Sequence, residues 1–199
     1  MMKKIITVSR EFGSGGRSIA KLVAEKLGYK YYDSELVERV AKETGFAQDY
    51  VADAGEYAPG KSILSYAFSS GTPHGGTTMN ATDYLWSTQC RIIMELAEKG
   101  NCVIVGRCAD YILRDRDDCL NVFIHADKAY KAKRIVELYG VTDKSPEKRL
   151  ADKDGKRRVN YKYFTGREWG IPENYHVCLS SSYFGHDECA DIISELAKK

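Results

Sequence analysis

Two hydrophobic periods alternate along this chain and divide it into strands and helices. Ile5-Ile6-Thr7-Val8 is a short β-branched run with no alternating polar positions, the mark of a strand buried on both faces. A glycine-rich loop follows, and from Arg17 the apolar residues Ile19, Leu22, Val23 and Leu27 recur at helical spacing until Gly28 stops them. Tyr31 and Tyr32 predict a short second strand ending at Asp33, and Leu36, Val37, Val40 and Ala41 mark one face of the next helix. Residues 83–99 form a long helical pattern closed by Gly100. Third and fourth buried strands are predicted at 102–105 and 119–124. From 129 to 158 the chain is charged and helical, broken at Pro146, and a fifth strand at 175–179 precedes a C-terminal helix ending at Lys199.

Strands alternating with helices predict one domain over residues 1–199, a three-layer α/β/α sandwich on a mostly parallel five-stranded sheet. Ligands of such sheets bind beyond the carboxyl ends of the strands, which here carry Ser9, Asp33, Gly106, Arg107 and His125. An insertion over about 42–82 interrupts the pattern. Its centre, 57–80, holds Pro59, Pro73, glycines and a serine-rich stretch, and reads as a loop that can move.

Composition narrows the function classes. The hydrophobic share of 43% and charged share of 29% are those of an ordinary globular protein. Thirty basic residues against 28 acidic ones leave a formal charge of +2, which argues for neither nucleic acid nor membrane as a partner. Six cysteines without C-x-x-C spacing read as small hydrophobes in a reducing cytoplasm. The apolar run near the N-terminus is too short for a signal peptide or a spanning helix. The four histidines form no motif.

The chemistry concentrates in the loop after the first strand. Gly13, Ser14, Gly15 and Gly16 let successive N–H groups converge on an anion at the start of a helix. In the register G-x-x-x-x-G-K-[ST], residues 11–18 put Gly16 at the second glycine, Arg17 at the lysine and Ser18 at the hydroxyl, with Glu11 in place of the first glycine. A second register puts Gly16 at the lysine position and turns Arg17 elsewhere. Gly13-Ser14-Gly15 with Ser18 also approximates G-x-G-x-x-G, and Asp33 then stands where a dinucleotide's ribose is bound, the mark of an oxidoreductase. Arginines near the C-terminus favour phosphoryl transfer, which needs charge neutralisation more than covalent help.

Tyr32-Asp33-Ser34-Glu35-Leu36-Val37-Glu38-Arg39 resembles the Y-x-D-[ST]-x-x-x-x-R stretch of the cytidylate kinase-like members of the nucleoside monophosphate kinases. Val105-Gly106-Arg107-Cys108-Ala109-Asp110 is similar to that family's strand-end G-R-D, with Cys108 in place of the aspartate. Lys153-Asp154-Gly155-Lys156-Arg157-Arg158 resembles its arginine-rich lid, read here over 143–158. Taken alone, Asp33-Ser34 is a helix N-cap, Arg39 a solvated residue and the basic run a solvated helix end.

The resemblance implies a P-loop kinase that moves the γ-phosphoryl group of ATP, with Mg²⁺, to a small nucleotide or metabolite acceptor, CMP first. Gly13, Ser14, Gly15, Gly16, Arg17 and Ser18 would hold the donor, with Ser18 on the metal. Arg17, Arg157 and Arg158 would be catalytic, and Asp33, Ser34, Arg39, Arg107, Asp110 and Asp154 would hold the acceptor. A monomer or homodimer is expected. Few apolar residues over 143–158 predict a lid that moves until phosphates arrive. A non-catalytic nucleotide sensor with an altered loop is the rival from another class.

Overall fold

A computed structural model describes residues 2–55 and 81–199. Its strands are β1 (Ile5–Arg10), β2 (Lys30–Tyr32), β3 (Cys102–Val105), β4 (Cys119–His125) and β5 (Val177–Ser180). They form one sheet in the order β2-β3-β1-β4-β5, with every neighbouring pair parallel. In register, Ile5 faces Cys102 on one side and Cys119 on the other. The central strand β1 therefore ends between two neighbours whose connections leave in different directions, the place where such sheets open a crevice.

Helices cover both faces. They are α1 (Gly16–Leu27), α2 (Ser34–Thr44), α3 (Gln48–Ala54), α4 (Ala81–Lys99), α5 (Ala109–Ile112), α6 (Lys128–Tyr139), α7 (Pro146–Thr165) and α8 (Ser181–Lys198). Strand side chains alternate between two cores because the strand period is two. Ile5, Cys102, Ile104 and Cys119 pack with Leu36, Val51, Ile92 and Leu96 from α2, α3 and α4. Ile6, Val8, Val103, Val105, Val122 and Ile124 pack with Ile19 and Val23 of α1 and Ile193 of α8. This is the three-layer α/β/α sandwich that the sequence predicts.

All six cysteines are free thiols, and Cys102, Cys108, Cys119 and Cys189 are buried. Burial pushes the Cys102 thiol up to about 11, which keeps it protonated and inert in the core. No described helix is long and apolar enough to cross a membrane.

Three boundaries differ from the sequence reading. The flanks of the expected 42–82 insertion are helical, since residues 42–44 close α2, residues 48–54 form α3 and residues 81–82 open α4; 57–80 lies outside the described residues. The short α5 follows β3 without a hydrophobic period to announce it. The largest change is in α7, which starts at Pro146 under a Ser145 cap, where Lys148 N–H donates to the serine oxygen at 3.3 Å, and continues past Arg158 to Thr165.

That helix corrects the expectation of a weakly held lid. Leu150, Asp154, Arg157 and Tyr161 are buried at a spacing of four, three and four, the face of a packed helix. Two of the four are charged, so the stripe carries no hydrophobic period and the segment reads as solvated. Its grip on the rest of the protein is partly apolar, through Leu150, Tyr161 and the stacking of Phe164 on Trp86 at 4.3 Å, and partly polar: Asp154 Oδ1 accepts from Phe12 N–H at 2.8 Å, and from Arg157 Nη1 of its own helix at 3.1 Å.

Candidate active site

The phosphate loop joins β1 to α1. Gly13 (φ 82°) and Gly15 (φ 79°) take left-handed backbone conformations, Gly15 is the N-cap of α1 and Gly16 is its first helical residue. A Cβ at Gly15 would also overlap Nε2 of His186 and stand 2.8 Å from its Cε1, so the imidazole would have to move. Ser14 braces the loop from below. Its hydroxyl donates to the Glu11 carbonyl at 2.9 Å, and its own carbonyl accepts from Ser181 Oγ at 2.6 Å. The Glu11 carboxylate is paired with Lys131 Nζ at 2.7 Å and accepts from Ala126 N–H at 3.2 Å, tying the loop to the segment that opens α6.

A cleft of about 800 Å³ lies over this loop and the N-terminal turn of α1, where helix geometry leaves N–H groups without an intrahelical acceptor. Among the described residues, nine arginines and lysines line it against three carboxylates, Glu11, Asp53 and Asp152. They converge from separate elements: Arg10 from β1, Arg17 from α1, Arg107 after β3, Arg134 from α6, and Lys153, Lys156 and Arg157 from α7. A cleft of one sign in low-dielectric walls concentrates anions. Phe12 and Tyr139 stack at its lip, ring centroids 5.7 Å apart.

The predicted donor residues Gly13, Gly15, Gly16, Arg17 and Ser18 line the cleft, while the Ser14 side chain is buried beneath it. Arg17 is turned to the end of β2, its Nε 2.9 Å from Asp33 Oδ2, and its side chain is 54% exposed. Ser18 accepts a hydrogen bond from Arg134 Nη2 at 3.2 Å. Of the two lid arginines, Arg157 is buried and lines the cleft, whereas Arg158 is exposed with its guanidinium 5.7 Å from the Trp169 ring. Adjacent helical residues point about 100° apart, which sets the two guanidiniums on different sides of α7.

The predicted acceptor residues separate likewise. Arg107 lines the cleft, in a left-handed backbone (φ 61°) that costs of order 1–3 kcal/mol and is fixed by its neighbours. Its Nη1 donates to the Val51 carbonyl in α3 at 2.8 Å, its carbonyl accepts from Gln89 Nε2 at 3.2 Å, and Gly55 leaves its guanidinium room. Asp33, Ser34, Arg39, Asp110 and Asp154 are not among the described residues lining the cleft. Asp33 holds Arg17 and accepts from the Tyr31 hydroxyl at 3.3 Å, and Arg39 pairs with Glu35 one turn away at 2.8 Å. Asp110 is buried behind the wall, accepting from Ser9 Oγ at 3.1 Å and Tyr161 OH at 2.6 Å; burial raises its carboxyl above the usual range in spite of both bonds. Asp154 braces the loop against α7. These two carboxylates brace the architecture and lie outside the described lining of the cleft.

Several site residues escape the sequence reading. Arg134 is one, and its buried Nε has no hydrogen-bond partner among the described residues, an orphaned donor at the wall of an anion cleft. Lys131, Arg134 and Leu138 recur at helical spacing along α6, a signal masked by the charge of the segment. His186 is another. It reaches the loop because Gly185 breaks the helical geometry of α8 at φ 76°, and its pKa is lowered by burial, then by Arg134.

The described residues do not fit a resident Mg²⁺ at Ser18. The hydroxyl faces a guanidinium, which repels a divalent cation. Both oxygens of Asp33 are engaged as well. A metal carried between nucleotide phosphates needs only one or two protein oxygens, so the chemistry of the cleft is described from its own side chains.

A parallel sheet with a left-handed glycine loop at its central strand, roofed by a cationic helix, defines the class of protein as an α/β phosphotransferase of the P-loop kinase type. The chain belongs to the cytidylate kinase-like family, whose model matches residues 5–183. Among curated proteins it is 28% identical over 194 residues to a cytidylate kinase of Archaeoglobus fulgidus, covering 94% of this chain and 91% of that one. Among solved structures, a protein from Eubacterium ventriosum superposes with a TM-score of 0.72 at 29% identity, covering 97% of each chain. Shikimate kinase from Acinetobacter baumannii shares the fold at a TM-score of 0.53 and 15% identity, over 97% of this chain and 92% of that one. Family membership sets aside the dinucleotide-dependent oxidoreductase.

Proposed function

We propose that this protein transfers the γ-phosphoryl group of ATP to the phosphate of a nucleoside monophosphate, with CMP as the first candidate. The observation that carries the reading is the cleft itself, with nine cations among its described residues over a glycine loop and a helix N-terminus. Donor phosphates lie along residues 13–16, where backbone N–H groups and the helix dipole favour negative charge. The acceptor phosphate lies toward Arg107 and Arg157, two buried guanidiniums held by fixed partners and suited to bidentate contact with phosphate. An acceptor oxygen forms the new bond to the γ-phosphorus while the bond to the β–γ bridging oxygen breaks, its electron pair leaving with ADP. Cations on three sides stabilise that charge without having to reorganise.

The test is a panel of nucleotide and small-metabolite acceptors with ATP and Mg²⁺, read by ADP release. A cytidine nucleotide should give the highest rate, and Arg107→Ala should raise KM for the acceptor at least tenfold with KM for ATP unchanged. ATP binding without acceptor-dependent ADP release would replace this reading with the nucleotide sensor, which the absence of a lysine from the loop makes the specific rival.

A further inference from the structure

The loop has lost the lysine of its consensus, yet the chemistry proposed above needs a cation on the transferring phosphoryl group. The backbone settles which register the loop follows. In the strand–loop–helix motif the second glycine precedes the helix and the lysine opens it. Here the left-handed N-cap is Gly15 and the first helical residue is Gly16. Counted from there, Gly16 stands at the lysine position, Arg17 at the hydroxyl and Arg10 at the first glycine.

We infer that Arg10 supplies the loop's missing cation, and that the arginine at the first position and the glycine at the lysine position are a single exchange. A Cβ on Gly16 would overlap the Cβ of Arg10 and stand 2.9 Å from its Cγ. The stem of Arg10 thus runs through the space into which a side chain at Gly16 would grow. Arg10 is 5% exposed, yet it lines both the cleft and the small recess behind it. It lies in the extended backbone of β1, where no glycine is required, and its carbonyl accepts from Arg157 Nη1 at 3.3 Å. Arg17 does not compete for the role, since its guanidinium is paired with Asp33 on the flank of α1. A guanidinium keeps its charge at every working pH and can hold two phosphate oxygens at once, so it acts where the lysine would.

This inference rests on the proposed phosphoryl transfer, and its test separates the two. In steady-state assays with ATP and CMP, Arg10→Ala should lower kcat at least 100-fold and raise KM for ATP about tenfold with KM for CMP changed less than threefold, and Arg10→Lys should restore at least tenfold of the loss in kcat. The double variant R10G/G16K, which moves the cation back to the consensus position, should exceed R10A at least tenfold. Calorimetric titration needs no turnover: R10A, shown to be folded by circular dichroism, should lose at least tenfold of the preference for ATP over ADP. If R10A keeps a third of wild-type kcat, or a folded double variant is no more active than R10A, Arg10 has no such role. If the wild type itself transfers nothing to any acceptor, the kinase reading fails, and the ATP-to-ADP ratio in R10A still decides about Arg10.

Discussion

Removing Asp154 should unfasten the roof of the cleft. The residue is 4% exposed and its carboxylate accepts from Phe12 N–H in the loop and Arg157 in its own helix, so Asp154→Ala takes the counter-charge from a buried guanidinium and the acceptor from a backbone amide together. Breaking a buried pair by deleting one partner costs about 3–5 kcal/mol. Burial already pushes the Asp154 carboxyl above its ordinary range, which places the loss near the lower figure, about 3 kcal/mol. For a chain of this size that is a fall in Tm of about 6–12 °C. Asp154→Asn keeps an acceptor for Phe12 and loses only the charge, about 1–2 kcal/mol. Urea unfolding followed by circular dichroism gives both values, and hydrogen exchange locates them: the wild type should protect residues 153–160 without ligand, and D154A should expose them together with residues 11–16. A loss in D154A below about 1 kcal/mol, or unchanged protection in both segments, would refute the claim that this carboxylate locks loop to helix.

Two further outcomes test the loop and the buried polar layer. Gly15→Ala and Gly28→Ala both place a side chain in left-handed backbone, a strain of about 1–2 kcal/mol. Only Gly15 has a neighbour, His186, within contact, so G15A should be the more destabilising by about 1 kcal/mol or more and should abolish ATP binding in a fluorescence titration; equal losses would remove His186 from the loop's support. Asp110 has a raised pKa when folded, so the native state holds its proton after the unfolded chain has released it, and its stabilisation, complete below the unfolded value near 4, is lost as pH rises through the folded value. Asp110→Asn should therefore flatten the fall in stability with pH above about 4, and thermal melts across that range with the wild-type slope in the variant would sink the assignment.

The apolar patterns settled the layers. Ile5-Ile6-Thr7-Val8, the run at 102–105 and the run at 119–124 are continuous because parallel strands are buried on both faces, and Ile19, Leu22, Val23 and Leu27 mark a helix because one stripe meets the sheet. Loop glycines and the order of motifs were legible for the same reason: left-handed backbone and strand-end position are local properties. What the sequence could not reveal was any partnership between charges. The buried stripe of α7 is half charged, so its polarity mimics a solvated surface until Phe12 and Arg157 are seen to satisfy Asp154. Asp110 looked like a ligand-binding carboxylate and is a buried brace, because Ser9 and Tyr161 come to it from 101 and 51 residues away. The register of the phosphate loop is the sharpest case. A motif aligns letters, and the letters favour the register 11–18, which matches at Gly16 and Ser18 where the other matches only at Gly15; only the fold shows that the helix begins at Gly16 and that the side chain passing through the empty place there belongs to Arg10.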